Sequence, residues 1–233
     1  MQDLCACRRH TTGSRKNGPV HLYLASTSPA RLQTLRQAGI EPITIPPGVD
    51  EEAVVAAHER EHGPLSIADL VQLLARTKAE AVVGMCPDGT PIDGLIIGSD
   101  SAFLTPEGDI QGKPHRPDVA TARWRAQSGG TGQLWSGQWL IDHRGGTARR
   151  AVGRPAAATV HFAALDGAEI EAYVATGEPL LVAGAFTVDS LGGPFITSVH
   201  GDPSTVIGLS LSTLRDLVRE LDVSWPSLWN RPR

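Results

Sequence analysis

Apolar positions along the chain fall into short continuous runs and helical stripes, and the two kinds alternate. Val20–Ala25 is an apolar run of strand length, and Ser26-Thr-Ser28 and Pro29 follow it. Ser28 is a good helix N-cap and Pro29 a good first helical residue, so a helix is predicted to about Ala38, with Gly39 as its stop. Ile43–Ile45 is a weak second strand, broken by Pro46, Pro47 and Gly48, and Asp50-Glu51-Glu52 opens a helix to about Glu61. The clearest helix runs from Ser66 to about Gly84. Ser66 and Asp69 have capping-box spacing, and Ile67, Leu70, Val71, Leu74, Ala81 and Val82 recur with a helical period. Lys78 falls on that apolar stripe, where it must snorkel, find a partner or reach into a site.

Leu95–Asp100 is a buried run ending in a carboxylate, and Pro106-Glu-Gly108 is a turn that suits a hairpin. Further elements are expected as a helix over 118–127, a strand over 134–141, a strand over 159–164, a helix over 168–175, a strand over 195–199 and a last helix over 211–221. A loop is expected at 183–194 and a turn at 201–204. Strands and helices alternate, which predicts an α/β fold. Residues 1–19 are set apart as a flexible extension, 20–222 as one folded domain, and 223–233 as a C-terminal tail.

Composition narrows the classes. With 233 residues, 41% of them hydrophobic and 20% charged, the chain can bury a sizeable core and is not of disordered type. Its net charge of −4 argues against a general nucleic-acid binder, which carries a basic face. The aromatic residues, five Trp, two Tyr and four Phe, have no basic interleaving of the kind a single-strand platform needs. Three cysteines make no disulfide framework and point to a reducing, cytoplasmic setting. Cys5, Cys7 and His10 fit no strong zinc spacing. No apolar run reaches the ~18 residues of a membrane span, and the first 19 residues hold no apolar signal core.

Three groups of residues can carry chemistry. The corner at Ser26-Thr-Ser28-Pro29 offers a helix N-terminus, two serine hydroxyls and the cation of Arg31, an anion site in the making. An ordinary cap accounts for Ser28 alone. Asp100 stands at the end of a buried strand, where α/β sheets place ligands, and Asp50 and Glu51 form a second acidic pair. Carboxylate oxygens suit hard divalent cations. A strand-end cap and a solvated helix start are the plain alternatives. Lys78 and Lys113, the latter held between Gly112 and Pro114, could meet the charge that develops on a leaving pyrophosphate, although either alone reads as a surface lysine. No Walker loop, dinucleotide fingerprint or nucleophile elbow is present.

Taken in order, these segments resemble the Maf family. Leu24-Ala-Ser-Thr-Ser-Pro-Ala-Arg31 is similar to its opening motif, Val49-Asp-Glu51 to its acidic pair, and Ala75-Arg-Thr-Lys-Ala79 to its helical lysine motif. Ile97-Gly-Ser-Asp-Ser101, Gly112-Lys-Pro114, Gly177-Glu-Pro179, Ala183-Gly184 and Val206-Ile-Gly-Leu209 continue the likeness, which covers about residues 20–222 and is most similar to actinobacterial members. The resemblance implies a mixed central sheet flanked by helices, of the kind shared with inosine-triphosphate pyrophosphatases, usually as a homodimer. It implies cleavage of nucleoside triphosphates, modified ones included, to monophosphate and pyrophosphate with Mg²⁺ or Mn²⁺.

By the same resemblance Asp100 is the general base or a metal-associated carboxylate, with Asp50 and Glu51 helping to hold the metal. Ser26, Arg31, Lys78 and Lys113 bind the triphosphate. Ala30, Ser101 and Asp189 stand at positions tied to base choice. Ala30 replaces an arginine or bulky residue, Ser101 the threonine and Asp189 the glutamine of the dTTP/UTP subgroup, while Gly98-Ser-Asp100 is closer to the 7-methyl-GTP subgroup. Leu181 and Val182 replace a common charged pair, and the preferred base stays open. The competing reading is a nucleotide-binding regulator of septum formation without turnover. Asp100 and the acidic pair favour the enzyme, because binding alone needs no base.

Overall fold

A computed structural model describes residues 20–231 of the chain. The extension at 1–19, with Cys5, Cys7 and His10, lies outside the described residues. Those residues form one mixed sheet. It is built from β1 (His21–Ala25), β2 (Ile43–Thr44), β3 (Gly94–Leu104), β4 (Ile110–Gln111), β5 (Thr131–Asp142), β6 (Arg150–Phe162) and β7 (Ile196–His200). The order is β2-β1-β3-β5-β6-β7, with β4 turned back onto the end of β3. β2, β1 and β3 run parallel, and every later pairing is antiparallel. The helices are α1 (Pro29–Gln37), α2 (Glu51–His62), α3 (Ile67–Ala81), α4 (Pro117–Gln127), α5 (Gly167–Ala175), α6 (Pro203–Ile207) and α7 (Leu211–Glu220). The expected α/β class with a mixed sheet is the one observed.

The helices begin where their caps predict. Ser28, Asp50 and Ser66 accept hydrogen bonds from the third residue beyond them, and Gly39 ends the first helical segment at φ 85°. The stripe of α3 packs flat on the sheet through Ile67, Val71, Leu74, Ala75 and Ala79. Two glycines make that contact possible. A Cβ on Gly98 of β3 would lie 2.1 Å from the carbonyl oxygen of Ala75, and one on Gly137 of β5 would lie 2.1 Å from that of Val71. The opposite face carries α1 and α7 over Leu22, Leu24, Leu95, Ile97 and Leu140. A second cluster at the far end gathers Phe103, Trp124, Phe162, Tyr173 and Phe186, edge to face.

Several boundaries differ from the expectation. β3 does not stop at Asp100 but runs on to Leu104, because β5 pairs with it along that whole length after β1 has ended at Ala25. β6 starts at Arg150 rather than near 159. Its first part, Arg-Ala-Val-Gly-Arg-Pro-Ala-Ala-Ala, has Val152 as its one strand-forming side chain and is held by pairing to β5. The turn expected at 201–204 is the start of α6, capped by Asp202. Residues 223–231 are packed onto the domain: Val223 and Leu228 are buried, Ser227 accepts from the Val20 N–H, and Asn230 pairs with the backbone of Glu41 at 2.7 and 3.0 Å.

Candidate active site

The parallel part of the sheet decides where a ligand can sit. β1 leaves the sheet after Ala25, opposite Gly98, while β3 continues. From Ser99 onward β3 therefore lacks its β1 neighbour, and the chain from β1 turns through Ser26-Thr27-Ser28 into the N-terminus of α1. This is the crevice beyond the carboxyl end of a parallel strand, beside a helix N-terminus. A cavity of about 770 Å³ fills it.

Consecutive residues of β3 point to opposite faces, and each face meets a cation. On the α3 face, Asp100 Oδ1 accepts from Lys78 Nζ at 2.6 Å, and the same ammonium lies 2.7 Å from Glu51 Oε1 at the start of α2. Both Lys78 and Asp100 are buried, while the Glu51 side chain is 47% exposed. Thus the lysine on the apolar stripe of α3 is explained: it has two carboxylate partners at the cavity floor. Burial pushes the Asp100 carboxyl above its ordinary range. The charges of Lys78 and Arg31 oppose that shift, and Glu51 adds to it.

On the other face, Arg31 is spread over three acceptors. Its Nε donates to the Gly208 carbonyl at 2.9 Å, and its two terminal nitrogens donate to Ser26 Oγ and Ser101 Oγ, each at 3.2 Å. Ser101 in turn meets Ser136 Oγ at 2.8 Å, and Ser136 donates to the Thr205 carbonyl at 3.0 Å. Because Ser136 gives its hydrogen to Thr205, Ser101 must donate to Ser136, and its lone pairs stay free for Arg31. Ser99 also donates to Gly208. The carbonyl of Gly208, turned inward by the φ of 111° that ends α6, is thus a fixed point for the guanidinium. Burial lowers the proton affinity of Arg31, with Asp100 and Glu51 opposing, yet a guanidinium remains charged.

The cavity lining brings together Ser26, Ala30, Arg31, Glu51, Lys78 and Asp100. Ser101, Lys113 and Asp189 line it as well. Lys113 and Asp189 are exposed, and Lys113 has no carboxylate within ion-pair distance among the described residues. Asp50 is not brought in: its Oδ1 accepts from the Ala53 N–H at 3.0 Å and caps α2. Ser136 and Gly208 escaped the reading by residue. A serine between Trp135 and Gly137 in a strand carries no local mark of function, and Gly208 stood out only as part of the Val-Ile-Gly-Leu segment.

Among the described residues, no group of three or more His, Cys, Asp and Glu side chains forms a ready metal cage. The donors that do converge are two carboxylates, Glu51 and Asp100. Two is the number Mg²⁺ commonly takes from protein when substrate phosphates and water supply the rest. The residues therefore fit a metal that arrives with a phosphorylated ligand. No helix among the described residues is long and apolar enough to cross a membrane.

Comparison with known proteins gives a consistent family. The model of the Maf-like protein family matches residues 21–221. A protein of Leifsonia xyli subsp. xyli named nucleoside triphosphate pyrophosphatase is 66% identical over 91% of this chain and 98% of its own length. Proteins of the same name from Nocardia farcinica and Corynebacterium diphtheriae are 46% and 43% identical, each over 91% of this chain and 97% and 99% of their own lengths.

Proposed function

Because the chain belongs to the Maf-like protein family, we propose that it is a nucleoside triphosphate pyrophosphatase, releasing nucleoside monophosphate and pyrophosphate. The observation that carries this reading is the convergence of Lys78, Glu51 and Asp100, within 2.7 Å of one another's charged atoms through the lysine, beside Arg31 and the N-terminus of α1. Anion binding and a carboxylate base are thereby offered in one cavity.

In this mechanism the triphosphate lies across the N-terminus of α1, held by Ser26, Arg31 and Lys113, with Lys78 below it. Asp100 takes a proton from the water that attacks the α-phosphorus. The α–β phosphoanhydride bond breaks, and its electron pair leaves on pyrophosphate. A carboxyl group pushed up by burial is a better proton acceptor than an exposed one, and the charge of Lys78 favours its ionised form. Arg31 and Lys113 offset the charge that gathers on the leaving group. Glu51 and Asp100 would hold a Mg²⁺ or Mn²⁺ ion, which would act as a Lewis acid on the phosphate oxygens. Leu181, Val188 and Asp189 line the same cavity and would face the base, and Ala30 and Ser101, the other positions tied to base choice, line it as well. The same reading includes a cytoplasmic homodimer that needs no nucleic-acid or membrane partner.

Asp100→Asn is the test. The amide keeps the shape and can still meet Lys78, so nucleotide binding by calorimetry should persist while turnover falls by about 10²–10⁴-fold, the contribution of a positioned base. Full activity in this variant would remove Asp100 from the reaction. Tight binding by the wild type with no turnover on any nucleotide would leave only a binding protein.

A further inference from the structure

The Gly177-Glu-Pro179 segment has no part in the chemistry above, yet Glu178 is the centre of a dense set of hydrogen bonds. Its Oε1 accepts from the Tyr173 hydroxyl at 2.9 Å, the Thr187 hydroxyl at 2.5 Å and the Gly192 N–H at 3.0 Å, and its Oε2 accepts from the Leu191 N–H at 3.2 Å. The donors come from both ends of the segment 187–192, whose Thr187, Val188 and Asp189 line the cavity. Burial would raise this carboxyl. Hydroxyls of Ser190, Thr187 and Tyr173 and the Gly192 N–H outweigh it and bring it down to about 2. The group is therefore an anion at any working pH.

The anchor is stiff on its own side. Tyr173 is 3% exposed, and its ring packs edge-on against Trp124 and Phe195, both at 5.4 Å between centroids. Trp124 also donates to the Ala185 carbonyl at 2.7 Å, just ahead of the segment. Gly192 admits no side chain, since a Cβ there would lie 2.5 Å from the Tyr173 hydroxyl. The turn that carries Glu178 reaches the opposite wall as well, because the Leu180 carbonyl accepts from the His115 N–H at 3.0 Å and so ties down the loop of Lys113. One turn thus braces the cation loop and the segment bearing Asp189.

We infer that Glu178 is a positioning residue that holds segment 187–192 as the wall against which the base of the nucleotide is selected. It touches no substrate itself and acts through Thr187, Val188 and Asp189. The inference rests on the nucleotide reading of the cavity. Its signature is loss of affinity and of base discrimination with the chemical step intact.

The test compares wild type, Glu178→Gln and Tyr173→Phe, each as the full chain. The amide places an N–H donor against the donors now bound to the carboxylate, while Tyr173→Phe removes one donor at constant ring volume. Steady-state kinetics on the four common ribonucleoside triphosphates are combined with deuterium exchange of the peptide covering 187–193. Exchange is measured with and without an α,β-methylene triphosphate. Expected for Glu178→Gln are faster exchange, a KM raised about tenfold, a narrower spread of kcat/KM among bases, and an unchanged kcat. Tyr173→Phe should move the same quantities the same way by less, and it carries the test if the glutamine variant does not fold. Unchanged KM and base ranking, with or without a lower melting temperature, would overturn the inference, as would a fall in kcat alone. A wild type that shows no turnover, but whose 187–193 peptide the analogue protects and Glu178→Gln leaves unprotected, would sink the pyrophosphatase reading and support this one. Failure of the analogue to protect that peptide in the wild type would contradict the positioning role.

Discussion

Lys78 Nζ and Asp100 Oδ1 lie 2.6 Å apart across the seam between α3 and β3, both buried. The contact depends on Gly98, two residues before Asp100 on the same face, because that glycine lets the backbone of α3 come down onto the strand. A packing feature of the sequence thus becomes an electrostatic one. The helix brings a cation to a carboxylate that burial would otherwise neutralise.

Replacing the lysine should therefore show in the pH dependence. Asp100 already has a raised pKa, and Lys78 is the largest influence pulling it down. In Lys78→Met the carboxyl takes up its proton at still higher pH. A base must be ionised to work, so the acid limb of kcat/KM should move upward, and the loss should be larger at pH 6 than at pH 9. Removing one member of a buried pair costs about 3–5 kcal/mol when the other stays charged, and protonation of Asp100 should relieve part of that cost. A pH–rate profile with an unmoved acid limb would show that the pair does not govern the base.

Gly98→Ala should act on the site from a distance. The new methyl would overlap Ala75 O and Ala79 N, at 2.1 and 2.7 Å, and backbone atoms cannot swing aside. Overpacking of this kind costs about 1–3 kcal/mol, and here it also lifts Lys78 from Asp100. Thermal unfolding and kcat should fall together. An unchanged melting temperature would mean that α3 is less firmly seated than its contacts imply.

Asp202 provides a separate pH effect on stability. Its carboxylate accepts from Ser204, Ser210 and Ser212 at the junction of α6 and α7. Burial alone would raise its pKa, but these donors bring it from 3.8 down to about 2. A depressed carboxylate stabilises the fold above its unfolded value, and the contribution is lost as pH falls from about 4 through about 2. Asp202→Asn removes the charge and leaves one acceptor oxygen, its NH2 group facing the donors now bound to the other, at about 1–3 kcal/mol. Urea midpoints of the two proteins should differ most at neutral pH and converge toward pH 2. A gap that stays constant would show that the charge contributes nothing.

Much of this architecture could be read from residue order. Capping serines, apolar runs and the stripe of α3 marked their elements, and the polar residue out of place on that stripe, Lys78, marked the site. What could not be read was set by partners remote in sequence. The first half of β6 is a strand only because β5 lies beside it, and its alanines and Pro155 carry no strand signal. The apolar run ends at Asp100, but β5 extends β3 beyond the point where β1 leaves. Asp50 and Glu51 are neighbours in sequence, yet one caps α2 and the other reaches Lys78, a choice made by the tertiary position of the helix. Ser136, 35 residues from Ser101, shows its relation to Arg31 only in the folded sheet.

The most direct test of the central claim is the identity of the products. Purified protein is incubated with each nucleoside triphosphate and Mg²⁺ or Mn²⁺, with a chelator control, and monophosphate, diphosphate, pyrophosphate and phosphate are quantified together. Cleavage between the α- and β-phosphates predicts monophosphate and pyrophosphate in equal amounts, abolished by the chelator and slowed by about 10²–10⁴-fold in Asp100→Asn. Diphosphate with orthophosphate, or no product from any nucleotide, would contradict it.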